Sequence, residues 1–130
     1  MVDVPEMDGE HEVLFHQLAS LQHALAEDRL QAATPLLKKL KAHAAEHFSH
    51  EERNMRASRY GHYGWHRRQH QAAQTKVALL ERSLRLGDTR AARETADSFG
   101  RWLRDHIAIA DRMLGAHLRN HAREHAARAS

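Results

Sequence analysis

The chain has 130 residues, 42% of them hydrophobic and 28% charged, a length that suits one domain with a modest core. It contains no cysteine but thirteen histidines, which excludes a disulfide framework, a thiolate zinc site and an iron-sulfur cluster and leaves imidazole and carboxylate as metal donors. The formal charge is +3, and the 20 Lys and Arg are interleaved with the 17 Asp and Glu, so no nucleic-acid partner is expected.

The chain opens on MVDVPEMDGEHEVLF, which lacks a basic start followed by an apolar run. No later stretch is apolar over a spanning length, so the expectation is a soluble, cytoplasmic protein with no membrane partner. Asp8 is a candidate cap for a first helix over about 8–27, and Thr34 with Pro35 reads as a cap and first-turn pair opening a second helix over 34–58. The run Tyr60, Gly61, His62, Tyr63, Gly64 predicts a turn, and a third helix follows over 64–86. Gly87 supplies its stop and Asp88 the next cap, for a fourth helix over 88–125. Short connections favour antiparallel neighbours, so the expected fold is all-α, a single domain over 1–130 forming an up-down-up-down four-helix bundle.

Each predicted helix carries histidines or acids on its apolar stripe. His11 continues the row Leu14, Leu18, Leu21 and Leu25, and His47 with Glu51 extends Leu36, Leu37, Leu40, Ala44 and Phe48. His66 and His70 lead Ala73, Val77, Leu80 and Leu84, while His106 sits among Phe99, Trp102, Leu103, Ile107, Ala110 and Met113. Residues four apart share a helix face, so His47xxxGlu51 and His66xxxHis70 each aim two donors at one point; the five-residue step from His106 to Asp111 diverges and relies on side-chain reach. A buried Glu51 without a partner would be costly, which calls for a cation. The four blocks together read as a two-metal site of the imidazole and carboxylate kind that borderline metals such as iron prefer. His62, between Gly61 and Gly64, is left out of the set, and His117, His121 and His125 form a solvated face beyond the core.

At these residues the chain resembles the hemerythrin family, in particular its small bacterial members, the bacteriohemerythrins. MDGEHEVLF is similar to the family's acid-x-x-His-x-x-Leu-Phe, HFSHEERNM to HFxxEExxM, HRRQH to HxxxH, and WLRDHIAIAD to WLxxHIxxxD. The resemblance implies two non-heme iron ions, one held by His66, His70 and His106, the other by His11 and His47, with Glu51, Asp111 and an oxo or hydroxo group bridging them. Two-metal sites hold their ions about 3.5 to 4 Å apart. On that ligand set the second iron is one donor short, and an open position is where a small molecule binds. In hemerythrins this is dioxygen, bound reversibly as hydroperoxide for transport, storage or sensing, with other small anions and nitric oxide as further ligands. Phe48, Trp102, Leu103 and Ile107 match the family's pocket-lining positions, whereas Leu114 stands where an aromatic residue is common. Five imidazoles against two carboxylates donate less charge than carboxylate-rich oxidase sites, which favours binding over oxidation. The alternatives are a di-iron enzyme reducing peroxide or nitric oxide and, further off, a metal-free helical interaction module.

Overall fold

The computed structural model describes residues 1–129, and every regular element in it is helical: α1 (Pro5–Ala26), α2 (Leu30–Ala57), α3 (Tyr63–Arg85), α4 (Thr89–His106), a π turn (Ile107–Asp111) and α5 (Arg112–Ala129). The π turn joins α4 to α5 without a break, so the chain makes four rods, with α1 packed on α2 and α4 and with α3 packed on α2 and α4. This is the up-down-up-down bundle, and no described helix is long and apolar enough to cross a membrane.

Apolar side chains at three- and four-residue spacing give each helix one buried stripe. Leu14, Leu18 and Leu21 from α1, Leu37, Leu40 and Phe48 from α2, Ala73, Val77 and Leu80 from α3, and Phe99 and Leu103 from α4 form the larger core. A smaller cluster of Val2, Met7, Met55, Tyr60 and Leu114 closes one end, and Ile107 touches both. Along α1 the order is Met7, His11, Leu14, and along α2 it is Phe48, Glu51, Met55. The buried polar residues therefore lie between two apolar layers.

Both early helices begin ahead of the positions their side chains suggest. α1 starts at Pro5, whose fixed φ is preorganised for a first turn, and Asp8 accepts a hydrogen bond from the Val2 N–H at 2.8 Å, tying the N-terminal segment back instead of capping the helix. α2 starts at Leu30 and runs through Pro35. Proline removes the bond to the Gln31 carbonyl, but Gln31 and Pro35 are both exposed, so water can satisfy it while Ala33 and Leu37 are buried. Thr34 bonds back to the Leu30 carbonyl at 3.4 Å.

Three helices end in the same six-residue wrap. Arg29, Tyr60 and Asp88 donate their N–H groups to Ala24, Met55 and Ser83, with Asp28, Arg59 and Gly87 in the left-handed region between. Only Gly87 is the residue type that advertises such an ending. At the second wrap Tyr60 folds back on Met55, so this supposed turn residue is 8% exposed. Asp88 then caps α4 by accepting from the Ala91 N–H at 3.1 Å.

The π turn places an extra residue in the fourth rod and shifts its inward stripe by one. A continuous α-helical period would bury Met113; Met113 is 41% exposed, and Leu114 is fully buried in its place. The next residue, Gly115, lets the Val2 backbone lie against α5, because a Cβ there would meet the Val2 carbonyl oxygen at 2.7 Å. Gly115→Ala should therefore displace the N-terminal segment and cost about 1 to 3 kcal/mol, a loss exceeding the gain in helix propensity. A melting temperature equal to or above that of the parent protein would contradict this close approach.

Candidate metal centre

Five histidines and two acids from four rods meet between the apolar layers. His11 is 5% exposed, His47 2%, Glu51 1%, His66 0%, His70 1%, His106 3% and Asp111 0%. The helical repeat explains the two pairs four residues apart. His106 and Asp111, five apart, are aligned by the backbone and not by side-chain reach: the widened π turn between them brings both inward, with His106 Nε2 3.0 Å from Asp111 Oδ1.

The contacts divide into two sets. His66 Nε2 and His106 Nε2 each lie 3.0 Å from Asp111 Oδ1, and His66 and His70 lie 3.3 and 2.9 Å from Glu51 Oε1. His11 Nε2 lies 2.8 Å from Asp111 Oδ2, and His47 Nε2 lies 3.4 Å from Glu51 Oε2 and 3.9 Å from Asp111 Oδ2. Asp111 thus turns one oxygen to His66 and His106 and the other to His11 and His47, while Glu51 turns one oxygen to His66, His70 and, at 4.0 Å, His106, and the other to His47.

Hydrogen bonding leaves this cluster incomplete. His47 Nε2, Glu51 Oε2, His106 Nε2 and Asp111 Oδ1 are buried without a hydrogen-bond partner, although buried polar atoms ordinarily have one. Their donors lie within 4.8 Å of one another in two groups, Glu51, His66, His70, His106 and Asp111, and His11, His47, Glu51 and Asp111. Convergent orphaned nitrogens and oxygens, with two acids common to both groups, fit metal cations of the borderline class.

The electrostatics agree. Burial pushes Glu51 up, and so does the Asp111 charge, yet the imidazoles of His106, His47 and His66 around it hold its carboxyl well below the usual range. Asp111, pushed up by burial, is held down by His106, His11, His47 and His66. Burial lowers His47 and His66, but the facing carboxylates of Asp111 and Glu51 outweigh it and raise them from 6.5 to about 10 and about 9. Without a cation, protons on the imidazoles thus neutralise the acids. The raised histidines stabilise the metal-free fold fully below pH 6.5 and lose that contribution as pH rises through about 9 and 10. The depressed acids contribute above their ordinary values of 4.5 and 3.8 and lose their contribution as pH falls through their lowered ones. Metal-free protein should accordingly melt highest between pH 4.5 and 6.5 and weaken above it, while metal-loaded protein, whose cations replace the protons, should not show the alkaline loss. Identical melting profiles for the two forms from pH 6 to 10 would refute the proton-for-metal exchange.

A surrounding layer orients the imidazoles. His70 Nδ1 lies 3.0 Å from Glu52 Oε2, His106 Nδ1 lies 2.7 Å from Gln69 Oε1, and His47 Nδ1 faces Glu10 Oε1 at 3.4 Å. The Glu52 and Gln69 partners fix ring orientation and tautomer and keep Nε2 of His70 and His106 free for a cation. Phe48 stacks on His70 with centroids 4.1 Å apart, and Trp102 stacks on His106 at 4.6 Å. Leu103 is 1% exposed beside them, whereas Trp102 and Ile107 are half-buried. The Tyr60 hydroxyl is buried without a partner; burial, followed by the negative field of Asp111, raises its pKa.

Sequence reasoning missed Glu10, Glu52, Gln69 and Tyr60. The first three stand off the apolar stripes, and only their adjacency to His11, Glu51 and His70 hints at a role. His62 is exposed at the start of α3, outside the cluster. His121 and His125 are exposed on α5, but His117 is half-buried, its Nε2 3.0 Å from Ser58 Oγ and 3.1 Å from the Ser58 carbonyl oxygen.

A helical bundle with buried histidines and carboxylates arranged around shared acids defines a cation-binding protein of the bundle-core type. A family model, the Hemerythrin HHE cation binding domain, matches residues 2–118. The chain belongs to the hemerythrin family. Neither curated proteins nor solved structures gave a match.

Proposed function

We propose that the chain binds dioxygen reversibly at two non-heme iron ions, one held by His66, His70 and His106, the other by His11 and His47, with Glu51 and Asp111 shared between them. The observation that carries this reading is the division of the carboxylate oxygens: Oδ1 of Asp111 and Oε1 of Glu51 serve the three-histidine set, Oδ2 and Oε2 the two-histidine set. The unequal histidine count leaves one metal a donor short, which supports a small ligand there. Iron bound by these residues would supply the electrons that reversible dioxygen binding draws on.

The protein's own part is to orient and exclude. Glu52 and Gln69 hold His70 and His106 in one tautomer, and Phe48 and Trp102 clamp the same rings. Leu103, Phe48 and Ile107, at the boundary of the larger core, keep water from the site, and dryness protects a reduced metal pair from irreversible oxidation. Five neutral imidazoles against two carboxylates favour binding over turnover. Protein expressed with ample iron should contain about two irons per chain, the count that a shared-acid site requires. Elemental analysis returning one iron, or zinc alone, would remove the di-iron reading.

A further inference from the structure

Outside the buried centre, one more group of side chains is arranged as metal donors. Glu6 and Glu10, one turn apart on α1, and His50 on α2 bring their donor atoms within 4.8 Å of one another. Glu6 is exposed, and Glu10 and His50 are half-buried, so the group opens to solvent on one side. Its inner edge is Glu10, whose Oε2 lies 2.9 Å from His50 Nδ1 and whose Oε1 lies 3.4 Å from His47 Nδ1. His47 is 2% exposed, and its Nδ1, aimed at Glu10, has no hydrogen-bond partner. Donors about 2.1 Å from one cation at near-right angles are separated by about 3 Å, so the 2.9 Å gap between Glu10 and His50 suits two donors of one shell.

We infer that Glu6, Glu10 and His50 form a second cation site that captures a divalent first-row ion at the surface and passes it, from Glu10 past the edge of His47, to the buried centre. The transfer half of this inference rests on the proposed metal centre; the site itself does not. Two carboxylates and one imidazole match ferrous iron, manganese or zinc. The seven residues of the buried centre are each 5% exposed or less, and a bare ion gives up its water at a cost that a chain of anionic donors lowers stepwise. Glu10 is suited to the handover because one of its oxygens faces the solvent-side histidine and the other lies at the outer edge of His47, whose Nε2 faces the centre. A neighbouring groove of about 220 Å³, lined by Glu10, Val13, His43 and Glu46, adds Glu46 to the negative charge on this face.

The test leaves Glu10 intact, because it touches His47, and uses the double variant Glu6→Gln/His50→Gln. Iron-filled protein is titrated with Mn²⁺ and free Mn²⁺ is followed by electron paramagnetic resonance. Manganese prefers oxygen-rich sites to the all-histidine row on α5. Wild-type protein should bind one additional Mn²⁺ per chain, and the variant should bind it at least about ten-fold more weakly, a loss of about 1.4 kcal/mol. His121→Ala/His125→Ala should bind as wild type does. No additional Mn²⁺ on wild type, or equal affinity in the Glu6→Gln/His50→Gln variant, overturns the site. In a second arm, metal-free protein is mixed anaerobically with low ferrous iron. The variant should fill about ten-fold more slowly but to the same final content, and equal rates overturn the capture role. A lower final content in the variant overturns it too, because these residues would then belong to the centre itself. Wild type that never reaches two irons instead refutes the di-iron reading, while the manganese result still decides the surface site.

Discussion

Replacing Glu51 or Asp111 by Ala should abolish paired metal binding, with iron falling from about two to below one per chain. Loss of an outer partner typically costs 10- to 100-fold in metal affinity, and each acid here faces both histidine sets, so its removal should cost more than about 100-fold at both. Glu51 is 1% exposed and Asp111 0%, so the substitution leaves raised-pKa histidines buried without their counter-charge, which by itself can destabilise the metal-free fold by about 3 to 5 kcal/mol. Glu51→Gln separates the two effects, because the amide keeps size and one acceptor oxygen but carries no negative charge to share. It should fold, as circular dichroism will report, and still fail to hold the pair. His62→Ala and His121→Ala, both exposed and outside the cluster, should leave iron content unchanged. Equal iron loss in all of these variants would refute the assignment of the seven residues.

The second large effect separates a carrier from a catalyst. Reduced, iron-loaded protein should gain a visible absorption band on exposure to air and lose it under argon, over repeated cycles, with slow net oxidation. Leu103→Ala should disturb this selectively. Leu103 is 1% exposed within the larger core and three residues before His106 on the same rod, so the truncation opens a cavity at the edge of the centre and costs about 2 to 5 kcal/mol of stability. It should also admit water. Net oxidation should then speed up on the order of ten-fold, equivalent to about 1.4 kcal/mol of lost barrier, with iron content unchanged. Wild-type protein that turns irreversibly ferric at first exposure, or consumes added peroxide or nitric oxide with steady turnover, would replace the carrier reading with that of a reducing enzyme.

The α5 histidines show how far reading by stripe extends. His117, His121 and His125 share one face, with successive ring centroids 6.3 and 6.2 Å apart. The row looks uniform, yet it divides where the bundle ends. His117 docks on Ser58 and lies 4.8 Å from the Tyr60 ring, while the other two project past any neighbour that could bury them.

Local periodicity determines much of this protein. A leucine every three or four residues makes a helix with one buried face, and a histidine or glutamate in phase with that row is carried inward with it, so the four-helix class and the positions of His11, His47, Glu51, His66, His70 and His106 are legible residue by residue. Tertiary packing decides what no window of the chain contains. α2 passes through Pro35 because burial of Ala33 and Leu37 outweighs one lost backbone bond on an exposed face. The fourth rod takes up a π turn that aligns Asp111 with His106 and exchanges Met113 for Leu114 at the core, a shift in phase that an unbroken 3.6-residue count cannot anticipate. Glu10, Glu52 and Gln69 meet their imidazoles only across helix interfaces. The division of each carboxylate between two histidine sets likewise exists only when all four rods are assembled, because hydrogen bonds and shared charge act through distances in space, whereas the helical repeat acts along the chain.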